Sequence, residues 1–306
     1  MSAVDRKLVL TLYSSDGIQK AWRDSENLVR EVKPCLMLHT TPGPHSQDVA
    51  EEAYELGLSF WYGVGIDGWA RDLRSGARSY RQIQDRAVQL ATVAKGHGAE
   101  CIMWNGEAAW KLAPGSDDTD YKIEGQLTKI LAEVDKNLPG FPQAFTSFDH
   151  PRYHRMPWRD FLGAGSPLVI HSPQFYGALL PGQGMASIRD MQSRLERMTA
   201  QWRSLERSGE CYPKYSPGGS GYRPYMQLHG VSCAATVKYA LQNFGVCLWA
   251  SASRMDKDGE RALKVLKHLE DANLWQVDGV QKLQESLGLL ADGIVGGKTL
   301  SALQIA

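Results

Sequence analysis

Two polar side chains follow the fourth apolar segment of the chain, where residues 101–104 run into Asn105-Gly106-Glu107. Alternate side chains of a strand share a face, so Asn105 and Glu107 are predicted to project together if the strand continues to Glu107. A glutamate among apolar and aromatic neighbours can retain its proton and act as a general acid. Cleavage of a glycosidic bond needs such an acid, and a second group that stabilises the developing oxocarbenium ion. The alternative is that Asn105-Gly106 forms a simple turn.

Three aspartates compete with Asn105 for the second role, because each follows a predicted strand. Asp16 and Asp149 are candidate catalytic groups after the first and fifth strands, and Asp67 is a candidate substrate-binding residue after the third. Each also has a structural interpretation: Asp16 as a helix N-cap, Asp67 in a turn and Asp149 at the start of a loop. Sequence gives no carboxyl separation, so retaining, inverting and substrate-assisted mechanisms all remain open.

Further polar and aromatic side chains lie in or just after the predicted strands, where they could bind a sugar. Polar groups there can hydrogen-bond to sugar hydroxyls, and aromatic rings can stack on the C–H faces of a sugar. Core packing is the alternative for some of the rings, and Trp104 should face the helices because it alternates with Asn105. The predicted substrate-binding residues are His39, Tyr62, Asp67, Trp69, Trp110, His171, Gln174, Tyr176, Gln227, His229 and Trp249.

Three of these residues, His39, His171 and His229, open a different possibility. They could bind zinc and make the chain a metal-dependent amidase that cuts the peptide of a cell wall. Against this, the first predicted strand contains no His-x-His, and the chain contains no H-E-x-x-H helix pair. We therefore expect no metal and no cofactor, and keep the amidase as an alternative.

Short apolar segments alternate with helical patterns along most of the chain. The predicted strands are 8–13, 34–39, 58–64, 100–105, 143–148, 168–171, 225–229 and 246–251, and the predicted helices are 18–32, 47–56, 80–96, 121–138, 158–162, 188–207, 233–244 and 259–272. Such alternation indicates a parallel sheet. Eight strand–helix units in about 270 residues predict an α/β fold, a (β/α)8 TIM barrel spanning residues 1–272. An open doubly wound sheet is the alternative, but no G-x-G-x-x-G follows the first strand.

The Asn105-Gly106-Glu107 segment resembles the Asn-x-Glu motif of family 85 endo-β-N-acetylglucosaminidases. It is also similar to the Asp-x-Glu motif that ends the fourth strand of chitinases and family 25 lysozymes. The resemblance, which covers this strand alone, implies that Glu107 is the acid and that Asn105 orients the 2-acetamido group of the sugar. Asp16 stands where family 25 lysozymes carry a functional aspartate, but Trp249-Ala250-Ser251 on the last strand offers no acid. Both kinds of enzyme act on N-acetylated amino sugars, of which the peptidoglycan glycan is made.

The last part of the chain carries a second pattern. Two short amphipathic segments flank an Asp292-Gly293 turn, and their apolar residues recur at helical spacing: Val280, Leu283 and Leu287, then Leu300 and Leu303. The pattern resembles the small three-helix peptidoglycan-binding domain of cell-wall hydrolases, although the loop before Asp292 is shorter than in that family. The resemblance implies a wall-binding domain at 273–306; a helical hairpin that caps the main domain is the alternative.

Composition, net charge and cysteine spacing exclude some classes of partner and location for the chain. The chain is 43% hydrophobic and 22% charged, as is usual for soluble globular proteins. Its formal net charge of zero gives no electrostatic reason for a nucleic-acid partner, and no apolar run is long enough for a membrane span. The five cysteines lack the spacing of a disulfide framework, and the first residues lack a signal-peptide pattern.

Together these features predict a peptidoglycan hydrolase of the phage endolysin kind. We expect a monomer that is made in a reducing cytoplasm and acts on peptidoglycan glycan strands after release. A muramidase is favoured over an N-acetylglucosaminidase by family precedent. A non-catalytic cell-wall-binding protein is the alternative outside the enzymes.

Overall fold

The computed structural model describes residues 8–112, 123, 125–148, 151–152, 154, 156–163, 165–175, 188–208, 225–227, 232–242, 246–250 and 255–305. The strands are β1 (Leu8–Leu12), β2 (Cys35–His39), β3 (Phe60–Gly65), β4 (Cys101–Asn105), β5 (Gln143–Phe148), β6 (Ile170–Phe175), β7 (Tyr225–Gln227) and β8 (Val246–Ala250). The helices are α1 (Ile18–Val32), α2 (Pro44–Glu55), α3 (Asp67–Ser75), α4 (Tyr80–Gly96), α5 (Gln126–Asn137), α6 (Trp158–Leu162), α7 (Ile188–Arg207), α8 (Cys233–Gln242), α9 (Lys257–Asp271), α10 (Gly279–Ser286) and α11 (Gly297–Ala302), with a 3-10 turn at Ala108–Trp110.

All of these strands run parallel and pair in sequence order. Strand β8 pairs with β7 on one side and with β1 on the other, so the sheet closes on itself. Helices separate successive strands, as parallel pairing requires. The predicted α/β class and its parallel sheet are confirmed.

Alternation along the strands sorts their side chains into two cores. Inside the barrel lies a small cluster made of Val9, Cys35, Met37, Trp61, Cys101, Met103, Ala144 and Ile170. The intervening residues, such as Leu10, Leu36, Tyr62, Trp104 and Phe145, belong to the larger core under the helices. Trp104 therefore faces the helix layer as predicted, and its Nε1 donates to Oε1 of Gln143 at 3.0 Å. The same alternation directs Asn105 toward the open end of the barrel.

Two departures from the predicted elements bear on the site. Asp67-Gly68 is the start of helix α3 rather than an isolated turn, and α3 was not predicted at all. Strand β6 begins at Ile170 and continues to Phe175, whereas the prediction ended it at His171. His171 consequently lies near the beginning of its strand, and Gln174 lies near the end that carries the site.

The tail packs against the barrel through α9. Leu269 of α9 shares one core cluster with Trp275, Val280 and Leu283 of the tail, so these residues extend the main core rather than form a separate one. Within the tail, Gln284 is 2% exposed. Its Nε2 donates to Oδ1 of Asp292 at 2.8 Å and to the Ile294 carbonyl at 3.0 Å, which fixes the Asp292–Val295 loop. The domain boundary near residue 272 stays a prediction.

Cys35, Cys101 and Cys233 are buried. Among the residues that the structure describes, no helix combines the length and the apolar character needed to cross a bilayer.

Candidate active site

A chain of hydrogen-bonded side chains crosses the open end of the barrel from β2 to β6. Nε2 of Gln174 donates to Oδ1 of Asn105 at 2.9 Å and to Oε1 of Glu107 at 2.8 Å. Nδ2 of Asn105 lies 3.4 Å from Nε2 of His39. The structure thus brings together four predicted site residues: His39, Asn105, Glu107 and Gln174.

The direction of each hydrogen bond in this chain follows from its donors and acceptors. The amide nitrogen of Gln174 can only donate, so Oδ1 of Asn105 and Oε1 of Glu107 are both acceptors. Because Oδ1 of Asn105 accepts, its Nδ2 must donate to Nε2 of His39, which is then the unprotonated ring nitrogen. Loss of solvent lowers the pKa of His39 below its usual value, although the nearby Glu107 carboxylate opposes this shift. A neutral His39 agrees with its role as acceptor.

Helix α3 and the residues before it fix the backbone that carries Glu107. The Asp67 carboxylate accepts from the backbone N–H of Glu107 at 2.6 Å and from that of Ala109 at 3.2 Å. Arg74 donates to the carbonyl oxygens of Ala109 and Lys111. A carboxylate that accepts from two backbone N–H groups forms strong, charge-assisted bonds. Asp67 was predicted to bind substrate; its contacts instead make it a positioning residue for Glu107.

The glycine between Asn105 and Glu107 is required by close packing. A Cβ at Gly106 would lie 3.2 Å from Cε2 of Phe145 and 3.2 Å from Cδ1 of Trp110. Its backbone N–H donates to the Thr146 carbonyl at 3.1 Å, which extends the β4–β5 pairing by one residue. Gly106 therefore lets the backbone pack closely at the edge of the barrel, and this places Glu107 at the open end of the barrel.

Two glycines of β3 shape the space beside this chain of hydrogen bonds. A Cβ at Gly63 would lie 3.0 Å from Cδ2 of His39, so Gly63 makes room for the imidazole. Gly65 is in register with Asn105, and a Cβ there would meet nothing within 4 Å. Tyr13 packs edge-on against His39, with ring centroids 5.3 Å apart. The site is consequently open on the β3 side, next to Asn105.

Several predicted sugar-binding side chains are buried under the helices, and those predictions are wrong. Trp69 and Trp110 are 5% and 0% exposed, so neither ring has a face available for a sugar. Tyr62 is fully buried, and its hydroxyl hydrogen-bonds to Ser46 and His97 on the helix side of the sheet. His171 is fully buried between Phe145 and Trp202. Strand alternation directs Tyr62 and His171 away from the barrel interior, whereas Trp69 lies in α3 and Trp110 in the 3-10 turn, where both rings pack into the core.

The remaining predicted residues do not join the cluster in the described structure. Asp16 lies exposed in the β1–α1 loop, where its hydrogen bonds are to Ser14 and Ser15, and the cap position of α1 is Gly17. Gln227 and Trp249 are paired in register on β7 and β8. Asp149, Tyr176 and His229 lie outside the described residues, so their predicted roles stay predictions.

A group beside the site was not predicted. Nζ of Lys111 lies 4.4 Å from the centre of the Phe148 ring, and the other partner of that ring is His154, stacked at 3.8 Å with an interplanar angle of 18°. Phe148 is in register with Gln174. Strand alternation could have identified Phe148, but Lys111 and His154 are in loops, where no periodicity places a side chain.

Within the described ranges, no group of three or more His, Cys, Asp or Glu side chains is arranged to hold a metal ion. Of the three histidines considered as zinc ligands, His39 and His171 lie on opposite faces of the sheet, and His229 is outside those ranges.

Several solved structures of similar fold are glycoside hydrolases, at low sequence identity. A chitinase from Rhizomucor miehei matches with a TM-score of 0.52 and 11% identity, over 86% of this chain and 99% of that chain. An endo-β-N-acetylglucosaminidase from Cordyceps militaris matches with a TM-score of 0.52 and 11% identity, over 86% and 90%. A GH18 chitinase from Pseudoalteromonas aurantia matches with a TM-score of 0.50 and 12% identity, over 85% and 99%. No protein-family model and no curated protein matches the chain. The likeness establishes a TIM-barrel-like fold of the kind found in glycoside hydrolases.

Proposed function

We propose that this chain is a glycoside hydrolase on a (β/α)8 barrel that cleaves β-1,4 bonds between N-acetylated amino sugars of peptidoglycan. The observation that carries the proposal is the hydrogen-bonded bridge from Gln174 to both Asn105 and Glu107 at the open end of the barrel. Active sites of such barrels lie at the C-terminal ends of the strands. The fold neighbours described above, two chitinases and an endo-β-N-acetylglucosaminidase, support the same class of substrate.

Glu107 is the proposed general acid. Its Oε1 accepts a hydrogen bond from the amide nitrogen of Gln174, which cannot accept one in return. The acidic proton of the protonated form therefore resides on Oε2, the oxygen that Gln174 leaves unoccupied. Protonation of the leaving glycosidic oxygen by Oε2 would produce a carboxylate whose Oε1 is already stabilised by Gln174. The bridge thus strengthens as the reaction develops negative charge.

Asn105 is the proposed second group. Among the described residues, Asn105 is the side chain that Gln174 links directly to Glu107, whereas the Asp67 carboxylate is engaged by backbone N–H groups. Asn105 keeps one N–H and one lone pair beyond its two hydrogen bonds. These can orient a 2-acetamido group so that its carbonyl oxygen attacks the anomeric carbon. This arrangement favours substrate-assisted hydrolysis over a covalent enzyme intermediate; Asp149 and Asp16 are the competing candidates.

The proposal extends to the tail and to the biological setting. Residues 273–306 are proposed to bind the cell wall, which would raise the local concentration of glycan at the barrel. Leu290 and Ile294, 83% and 60% exposed, flank the Asp292 loop and offer apolar contacts. We propose a monomeric phage endolysin that reaches the wall after release, with muramidase activity favoured over N-acetylglucosaminidase activity.

The central experiment compares two glutamates of the same strand region. Glu107→Gln removes the proposed proton donor and should abolish the clearing of purified cell walls, while sedimentation with those walls is retained. Glu100→Gln is the matched control, because Glu100 lies at the opposite end of β4 and bonds to Ser59. Mass spectrometry of the soluble products then identifies the sugar at each new reducing end, which separates a muramidase from an N-acetylglucosaminidase.

Other outcomes would select the alternatives. Release of peptides without new reducing ends, sensitive to a chelator, would identify a metal-dependent amidase. A wild-type protein that sediments with walls but clears none would be a non-catalytic wall-binding protein. Full activity of Glu107→Gln would remove Glu107 from the proposed mechanism.

A further inference from the structure

The backbone at Lys111 is connected to the segment that carries the proposed catalytic group, Glu107. Lys111 follows the 3-10 turn Ala108–Trp110, and the backbone N–H of Trp110 donates to the Glu107 carbonyl at 3.0 Å. The carbonyl of Lys111 accepts from Arg74 at 2.8 Å. Because α3 holds the backbone at both residues, the base of the Lys111 side chain keeps a fixed position relative to Glu107.

The head of the Lys111 side chain is held over an aromatic ring. Nζ lies 4.4 Å from the centre of the Phe148 ring, within the range of an attractive cation–π contact. Phe148 is in register with Gln174, and paired residues of parallel strands leave the sheet on the same face. Phe148 and the Glu107 bridge therefore share the open end of the barrel, with Gln174 as their common neighbour.

Lys111 forms no ion pair with a carboxylate among the described residues, whose ion pairs all join other side chains. The Phe148 ring also has both partners in place, Lys111 and His154. A ring that is covered in this way is a support for the cation rather than a stacking platform for a sugar. A half-buried ammonium group next to a glycosidase site attracts an anionic part of the substrate.

We propose that Lys111 binds a carboxylate carried by the glycan, and that the site prefers acidic N-acetylated amino sugars over neutral ones. This inference rests on the proposed glycosidase function and names its substrate class. In peptidoglycan the carboxylate can come from the lactyl ether of a peptide-free muramic acid or from the stem peptide attached there. The neutral counterpart of the same backbone is a chitin oligosaccharide.

The test uses three soluble tetrasaccharides: a peptide-free one with muramic acid, the same one with its stem peptides, and chitotetraose. Lys111→Gln should raise KM for the acidic substrates by about twofold to fivefold, the scale of a partly exposed charge pair, and leave KM for chitotetraose unchanged. Lys111→Arg keeps the positive charge and should retain the preference for acidic substrates. Added salt should raise the wild-type KM for acidic substrates only. Lys95→Gln, an exposed lysine at the end of α4, is the control.

The outcomes distinguish a failure of this inference from a failure of the proposed glycosidase function. A raised KM of Lys111→Gln for the peptide-free substrate identifies the lactyl carboxylate as the group that Lys111 binds. A raised KM for the peptide-bearing substrate alone identifies the stem peptide. Both results support the proposal. Equal effects of Lys111→Gln on all three substrates, or no effect on any, overturn the proposal while leaving a glycosidase. A wild-type protein that cleaves none of the three overturns the proposed function, and the role of Lys111 with it.

Discussion

Nε2 of Gln174 donates a hydrogen bond to Oε1 of Glu107 at 2.8 Å, and the same nitrogen donates to Oδ1 of Asn105 at 2.9 Å. One amide on β6 therefore sets the orientation of two polar side chains at the end of β4. Gln174 is 5% exposed, so water does not readily replace it. The geometry of the proposed acid depends on a strand that is distant from it in sequence.

Gln174→Met removes this donor while nearly preserving the volume of the side chain. A hydrogen bond to a charged group contributes roughly 1.5–3 kcal/mol, so kcat on a soluble oligosaccharide should fall about 10- to 100-fold. KM should change less, because the bond strengthens in the transition state. Gln47→Met is the control, since Gln47 donates to Glu51 at 2.7 Å on the exposed face of α2. Wild-type kcat in folded Gln174→Met would exclude the bridge from catalysis.

Most of the hydrogen-bonded cluster could be predicted from local pattern. Strand alternation placed Asn105 and Glu107 on one face and Trp104 on the other, and strand ends pointed to His39 and Gln174. The placement of Asn105 and Trp104 depends only on period-two geometry, which β-strands enforce strongly, whereas Glu107 lies two residues beyond the end of β4.

The errors arose where tertiary contacts decide the outcome. Trp69 and Trp110 were predicted to stack on sugars because polar residues surround them in sequence. Trp69 instead belongs to α3, a helix that the sequence pattern did not reveal, and Trp110 packs in the core against Phe161. His171 was assigned to a strand end because β6 was predicted to begin and end too early. The role of Asp67 depends on two backbone N–H groups about 40 residues away, and no local rule predicts such a contact.

Gly106→Ala should damage both stability and activity. The new Cβ would meet Phe145 and Trp110 at 3.2 Å, and overpacking of this kind costs roughly 1–3 kcal/mol of the free energy of unfolding. The displacement would also move Glu107. Gly96→Ala is the matched control: it ends α4 with open space around its Cβ position, and should leave stability unchanged or slightly higher. Urea unfolding and kcat measure both effects, and equal behaviour of the two variants would contradict the packing argument.

The lowered pKa of His39 should make the free energy of unfolding decrease in mild acid. Its pKa in the folded protein is lowered, chiefly by loss of solvent, while the unfolded chain titrates near 6.5. The unfolded state therefore binds more protons as the pH falls. The contribution of His39 to stability is fully present above about pH 7 and decreases as the pH drops through 6.5, by at most about 1.4 kcal/mol per pH unit.

The variant His39→Gln isolates this contribution. The pKa of His97 is also lowered by burial and gives a slope of the same sign, so the informative quantity is the difference from wild type. His39→Gln should flatten the pH dependence of the free energy of unfolding between about pH 5 and 6.5, the range below the unfolded-state pKa. His268→Gln, on the exposed side of α9, should leave it unchanged. A slope identical in all three proteins would show that His39 is protonated equally in both states.

Gln284→Met should separate wall binding from catalysis. Gln284 donates to Asp292, Ile294 and Thr299 and accepts from the backbone N–H of Gly293. Its loss removes these bonds and leaves the Gly293 N–H without this acceptor, although Asp292 and the Ile294 carbonyl keep other partners. Each buried unsatisfied group costs roughly 1–3 kcal/mol, which should release the loop that presents Leu290 and Ile294. Sedimentation with walls should weaken, whereas turnover of a soluble oligosaccharide should stay at the wild-type rate.

The control for this variant lies on the same helix. Gln281 is exposed on α10 and makes no hydrogen bond recorded within the described residues, so Gln281→Met should behave as wild type in both assays. Equal loss of soluble turnover and wall binding in Gln284→Met would mean that the tail supports the barrel itself. That result would favour the alternative in which 273–306 caps the main domain, and it would agree with the core that Leu269 and Trp275 share across the boundary.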